Sequence, residues 1–173
     1  DHRDLPSFPT RRSSDLTQVA TFSDWELRKW APPQPGVNGP PPAYAPPGEY
    51  DDVTRYSHFT GPWTRDLEFP QAYDGTLAYS NDTRSRVIIR FRGRSIRLKY
   101  TAAANRCPGL VSLDDGDEQR LDEYAPETKW QTLSLEYAAA APGDHVMQLR
   151  FPEGVSKQPV ASCYLDLDGF VVR

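Results

Sequence analysis

The chain has 173 residues, with 20 Lys+Arg against 24 Asp+Glu, 38% hydrophobic residues, 12% aromatic residues, 17 prolines and 2 cysteines. That length suits one domain of ordinary size, and no apolar run approaches the roughly 18 residues that a membrane-spanning helix needs. A net charge of −4 speaks against nucleic acid as a partner, and 2 cysteines are too few for a disulfide scaffold or a four-cysteine zinc site.

The opening sixteen residues, DHRDLPSFPTRRSSDL, carry neither a helical nor a strand period. They resemble a reading frame of a common short-read sequencing adapter, departing from it only at Pro6, where one base change suffices. Residues 1–16 are therefore set aside as an artefact, as an expression scar would be. They hold three acids and three bases, so the remaining chain keeps its net charge of −4. On this reading Thr17 is expected to be an interior residue of a longer protein.

Residues 17–48 are read as an N-terminal segment followed by a linker. TQVATFSDWELRKW, with Trp25 and Trp30, suits a short strand or helix, and eight of the seventeen residues from Ala31 to Pro47 are proline. Proline lacks a backbone donor and favours extended geometry, so this stretch reads as a semi-rigid spacer in preference to a recognition motif.

From Tyr50 onward the pattern predicts short strands divided by turns, with no helical stripe. Strands are expected near Thr54–Phe59 and Thr76–Ser80. Val87, Ile89 and Phe91 share one face of the next, with Arg86, Arg90 and Arg92 opposite, before a tight turn at Gly93. Ile96, Leu98 and Tyr100 line the following strand. Leu110–Leu113 and Gln119–Glu123 flank an Asp-Gly hairpin signal. Trp130–Tyr137 is expected to turn Leu133 and Leu135 inward. Ala138–Ala141 is too short for a helix and, with Pro142-Gly143, reads as a loop. Met147, Leu149 and Phe151 point inward on the next strand, and Ser162–Val172 closes the domain. Seven to nine such strands over residues 49–173 imply an all-β antiparallel sandwich or jelly roll.

The motifs YDD (Tyr50–Asp52), Gly61–Trp63, GTLAYS (Gly75–Ser80), VIIRFRGRSIRL (Val87–Leu98), LVSLDDGDEQRL (Leu110–Leu121), PGDHVMQLRF (Pro142–Phe151) and YLDLDGFVV (Tyr164–Val172) come in an order that resembles the galactose-binding-like jelly rolls. That superfamily includes many bacterial carbohydrate-binding modules, which occur beside glycoside hydrolases, esterases and peptidases. The resemblance implies a non-catalytic glycan-binding module of a secreted or cell-surface multidomain protein, covalently linked to neighbouring domains. The alternative is a structural spacer or adhesion domain with no sugar ligand.

Chemistry-bearing motifs are absent from the sequence. His58 and His145 each fall on a predicted strand, where packing or surface roles are commoner than catalysis, and no nucleophile elbow, phosphate loop or His-Glu-x-x-His occurs. No enzyme and no cofactor are expected. Asp114, Asp115, Asp117 and Glu118 could hold a structural Ca²⁺ but lack the spacing of a calcium loop, and a hairpin tip explains them. Asp166 and Asp168 share a face of the last strand and read as solvent-facing acids or as ligand neighbours.

If strands alternate about a turn at Gly93, the 81–85, 102–108, 125–129 and 152–160 loops share one end. Cys107 and Cys163 both fall there, so a disulfide is expected in preference to free thiols, implying an extracellular or periplasmic setting. The same end is the expected ligand site. Trp130 either stacks on the apolar face of a pyranose or packs against a neighbouring loop, with Tyr124, Asn105, Arg106 and Lys157 nearby as the rest of the ligand-binding set. Trp63 is assigned to the core. Arg86, Arg90, Arg92, Arg97 and Lys99 form an outward basic stripe, read as pairing with acids such as Asp122 or Glu136 rather than as a polyanion site.

Overall fold

In the computed structural model, residues 43–152 and 163–173 are described. The segment holding Trp25, Trp30 and most of the proline-rich stretch, and the loop holding Lys157, lie outside them. The chain opens with β1 (Gly48–Asp51), β2 (Ser57–Thr60), β3 (Thr64–Asp66) and β4 (Leu77–Ser80). It continues through β5 (Arg86–Ala102), β6 (Pro108–Leu113), β7 (Gln119–Asp122), β8 (Lys129–Leu133) and β9 (Tyr137–Arg150), and closes with β10 (Leu165–Leu167) and β11 (Gly169–Val172). A 3-10 turn at Tyr73–Gly75 precedes β4. The larger sheet runs β1-β11-β5-β9-β6-β7, with β2 and β8 also pairing with β5, and the smaller runs β10-β4-β3. The strand pairings are antiparallel. The protein is an all-β sandwich of the jelly-roll kind.

The alternation read from the sequence builds the core. Val87, Ile89 and Phe91 are fully buried, as are Ile96, Leu98, Met147, Leu149 and Phe151, and they join Leu165, Leu167 and Phe170 in one apolar cluster. Trp63 packs on the edge of this cluster, its ring edge-on to Phe59 at 5.1 Å. Burying a large side chain of this kind is worth about 1.5–3 kcal/mol, so the cluster supplies most of the drive to fold.

The turn expected at Gly93 does not form. β5 runs through it as one strand of 17 residues, pairing β2 and β9 along its first half and β8 and β11 along its second. Glycine is needed there for a different reason. The Arg94 and Ser95 amides both donate to the Arg173 carbonyl, and a Cβ at Gly93 would stand 2.9 Å from Val172 Cγ1 and closer still to that carbonyl oxygen. Gly93→Ala is therefore expected to cost roughly 1–3 kcal/mol through overpacking against backbone. Urea unfolding checks this; an unchanged midpoint would mean that the last strand yields freely.

The loop expected at 138–143 is also strand, though an irregular one. Gly143 pairs Gly93 and Ala138 pairs Ser95, so Ala139–Pro142 stand opposite Arg94 alone as a wide bulge. Proline is tolerated where the ladder lapses. His145 holds the bulge, with one ring nitrogen 2.9 Å from the Ala141 carbonyl oxygen and the other 2.7 Å from Asp114 Oδ2.

On β8 the expected inward leucines point out: Leu133 is 39% exposed and Leu135 78%. The alternation survives with its sense inverted, because the inward place between them goes to Ser134. The Leu98 amide donates to Ser134 Oγ at 2.9 Å, and the Ser134 amide donates to the Leu98 carbonyl at 2.9 Å. A short hydroxyl side chain meets that need and a leucine does not.

The basic stripe is broken up. Lys99 is buried, paired with Glu49 of β1 and 3.5 Å above the Tyr73 ring of the 3-10 turn. Arg92 pairs with Asp144, and Arg97 Nε donates to the Ser134 carbonyl. The partners are thus Glu49 and Asp144, and Glu136 instead accepts from Ser95 Oγ.

At the 114–118 turn, Asp114 and Glu118 are bonded to β9. Asp114 and Asp115 take the two left-handed positions, with φ of 51° and 56°, and the Gly116 amide donates to the Leu113 carbonyl at 2.9 Å. That is the geometry of a type I′ turn with the Asp pair, not Asp-Gly, at its centre. Asp114 accepts from the Val146 amide, and Glu118 takes a two-pronged bond from Arg150.

Candidate functional site

Where β5 leaves the sheet, the chain folds back on the start of β8 and the approach to β10. Between them lies a cleft of about 340 Å³, lined by Phe69, Tyr79, Thr101, Ala103, Asn105, Arg106, Thr128, Trp130 and Tyr164. Its wall is aromatic. Trp130 sits 5.6 Å from Phe69, Phe69 is edge-on to Tyr79 at 6.2 Å, and Tyr79 is edge-on to Tyr164 at 5.7 Å. These spacings fall in the range at which rings hold one another in place. Gln131, with φ of 51°, sends its side-chain amide to the Gln71 carbonyl at 3.0 Å and so ties the Trp130 turn to the Phe69 segment.

The polar side of the cleft is held by a staple. Cys107 and Cys163 form a disulfide with Cα atoms 5.3 Å apart. Beside it the Cys107 amide donates to the Tyr164 carbonyl at 2.8 Å, and the Tyr164 amide to the Asn105 carbonyl at 2.9 Å. Asn105, Arg106 and Tyr164 are thereby carried on one short, cross-linked ladder.

Arg106 is fixed from behind. Its Nε donates to Asp166 Oδ2 at 2.6 Å and its Nη1 to Asn105 Oδ1 at 2.8 Å. Asp166 Oδ1 accepts from the Thr101 amide at 2.9 Å, and the Asp166 amide donates to Glu123 Oε2 at 3.1 Å. Asp166 and Asp168 are fully buried rather than solvent-facing: Asp166 lies against Thr101, Arg106 and Glu123, and Asp168 Oδ1 accepts from the Tyr73 amide. Burial pushes Asp166 up to about 6 against the pull of Arg106. Burial and the adjacent Asp166 push Glu123 well above the usual carboxylate range. Asp166, bonded to Arg106 and to the Thr101 amide, is the counter-ion of Arg106.

Of the expected ligand residues, Trp130, Asn105 and Arg106 meet in the cleft. Tyr124 is 58% exposed and bridges Ala103 through its backbone without lining the cavity. The sequence reading missed Phe69, Tyr79, Thr101, Thr128 and Tyr164. Tyr79 and Tyr164 belong to β4 and the approach to β10, which only the sheet pairing brings together. Phe69 lies between strands, with no period to mark it.

No family model and no curated protein matches the chain. Among solved structures it is similar to a two-domain esterase active on acetylated mannans, co-crystallised with mannopentaose, with a TM-score of 0.56 and 12% identity over 72% of this chain and 36% of that one. It is similar to a Paenibacillus xanthan lyase with a TM-score of 0.52 and 18% identity, covering 81% of this chain and 14% of the lyase. An exo-β-1,3-galactanase from Phanerochaete chrysosporium, solved with β-1,3-galactotriose, gives a TM-score of 0.50 and 15% identity over 76% of this chain and 30% of the galactanase. The chain thus spans about a third or less of each of these proteins. Such likeness concerns the fold, a β-sandwich found within carbohydrate-active enzymes.

Proposed function

We propose that the domain is a non-catalytic carbohydrate-binding module of a secreted or cell-surface multidomain protein, and that the cleft at the disulfide is its site. The observation that carries this is the run of four rings, Trp130–Phe69–Tyr79–Tyr164, beside the fixed Arg106 and Asn105. A pyranose offers an apolar face for stacking and a rim of hydroxyls for hydrogen bonds, and the cleft has a matching surface for each. The presence of this fold in an esterase on acetylated mannans and in a galactanase supports the same reading. No catalytic group is assigned, as neither His58 nor His145 is among the cleft residues and the carboxylate behind Arg106 is sealed off. No cofactor is invoked.

A glycan array probed with the full chain tests this, with Trp130→Ala alongside. Loss of one ring stack is expected to weaken binding by about tenfold. Leu135→Ala, an exposed change outside the cleft, should leave binding as it was. Silence across neutral and acidic glycans would overturn the proposal and leave a structural spacer.

A further inference from the structure

A sugar hydroxyl both donates and accepts, so a site for neutral sugars needs acceptors as well as donors. The cleft offers the Tyr79, Thr101, Thr128 and Tyr164 hydroxyls for both, and Arg106 as a charged donor. Among the described residues no Asp or Glu lines it. The carboxylate behind it, Asp166, is fully buried with Oδ1 taken by the Thr101 amide and Oδ2 by Arg106. Asn105 Oδ1 accepts from Arg106 Nη1. On the charged side these bonds leave a ligand the Nη2 end of Arg106 and the Nδ2 donors of Asn105, with the donor-only indole Nε1 of Trp130 on the ring side. Thr101 Oγ1, buried at the wall of the same cleft, has no hydrogen-bond partner.

We infer that the cleft takes an acidic glycan: the sugar seated on the rings carries a carboxylate, which accepts from Arg106 Nη2 and Asn105 Nδ2. This rests on the cleft being the glycan site. Arg106 suits the task because its side chain is only 10% exposed and Asp166 sets the plane of its fork, so little freedom is lost on binding. A guanidinium stays charged at every working pH and meets a carboxylate edge-on, as an ammonium cannot. Because Asp166 already balances the Arg106 charge, recognition works through directed donors more than through a positive field. Its salt dependence is therefore shallow, no steeper than the roughly tenfold loss per tenfold salt of a single charged contact.

Calorimetry of the full chain with trigalacturonate and triglucuronate, each beside its carboxyl-reduced counterpart, decides the matter. The acidic member of at least one pair is expected to bind about tenfold more tightly, the worth of one charge-assisted bond. Arg106→Lys keeps the charge against Asp166 but removes the fork, and should erase that advantage. If Arg106→Lys fails to fold, Asn105→Ala, an exposed and uncharged position, should narrow the same advantage. Equal binding of acidic and neutral members, still lost in Trp130→Ala, would overturn the acidic ligand and leave the glycan site standing. Failure of all four probes also overturns it, and the array then decides whether the site itself survives.

Discussion

Cys107→Ser is expected to lower the stability of the domain by about 2–5 kcal/mol, a fall in Tm on the order of ten degrees for a domain of this size. The cross-link closes a loop with a sequence separation of 56 residues, so its removal frees a long segment in the unfolded chain. In the native state it also tethers the ladder that carries Asn105, Arg106 and Tyr164. The loss should therefore reach binding as well as stability. Cys163→Ser and the double variant should match Cys107→Ser, since all three remove the same bond. Scanning calorimetry with and without reductant provides the check; a Tm that ignores both reductant and mutation would show that the ladder stands unaided.

The second large effect is a stability that declines as pH rises from about 4 to about 8. Four buried carboxyls hold their protons above the usual range. Burial and the neighbouring Asp51 push Asp52 up to about 8. Burial pushes Asp166 and Asp168 to about 6, and Glu123 is raised well above its ordinary value. A group whose folded pKa exceeds its unfolded pKa binds more protons in the native state, so its contribution is full below the unfolded value and is lost as pH climbs through the folded one. Each such group contributes at most about 1.4 kcal/mol per pH unit within its own window. The depressed acids do not oppose this, because Asp82, lowered to about 2 by Arg84, and Asp144, lowered by Arg92, lose their pairs only below pH 4. Asp52→Asn should flatten the slope, since the amide keeps an acceptor for Thr76 Oγ1 and has no charge to bury. At pH 8 this variant should melt above the parent. A parent Tm that is level between pH 5 and pH 8 would show that these carboxyls ionise without cost.

The core was legible in the sequence because alternation is a statement about faces. Wherever a strand has one buried face, as at Val87–Phe91 and Met147–Phe151, period two reported it correctly. It failed where both faces are covered or where the inward face is polar. Lys99 looked exposed by parity, yet Glu49 and the Tyr73 ring of the 3-10 turn cover it. Leu133 and Leu135 looked inward by apolarity, yet Ser134 holds that position through its bonds to Leu98. Gly93 looked like a turn, but a close approach of backbone calls for glycine as firmly as a reversal does. Trp130 reached the cleft although the inward leucines that pointed to it are outside. Its partners Phe69, Tyr79 and Tyr164 come from three separate segments, and no local pattern links them.

The bulge of β9 offers a practical handle. Ala140 and Ala141 are exposed and stand outside the ladder, opposite Arg94, while His145 grips the Ala141 carbonyl from the strand that follows. Along β5, Ser95 lies beside the bulge and Ala102 beside the first residue of β8. Some seven residues of strand, roughly 23 Å at 3.3 Å each, therefore part the bulge from the mouth of the cleft. A peptide tag or surface anchor inserted between Ala139 and Ala140 would replace no core side chain and break no strand pairing. The domain could then be immobilised by its far end, with the ring-lined cleft turned toward whatever flows past.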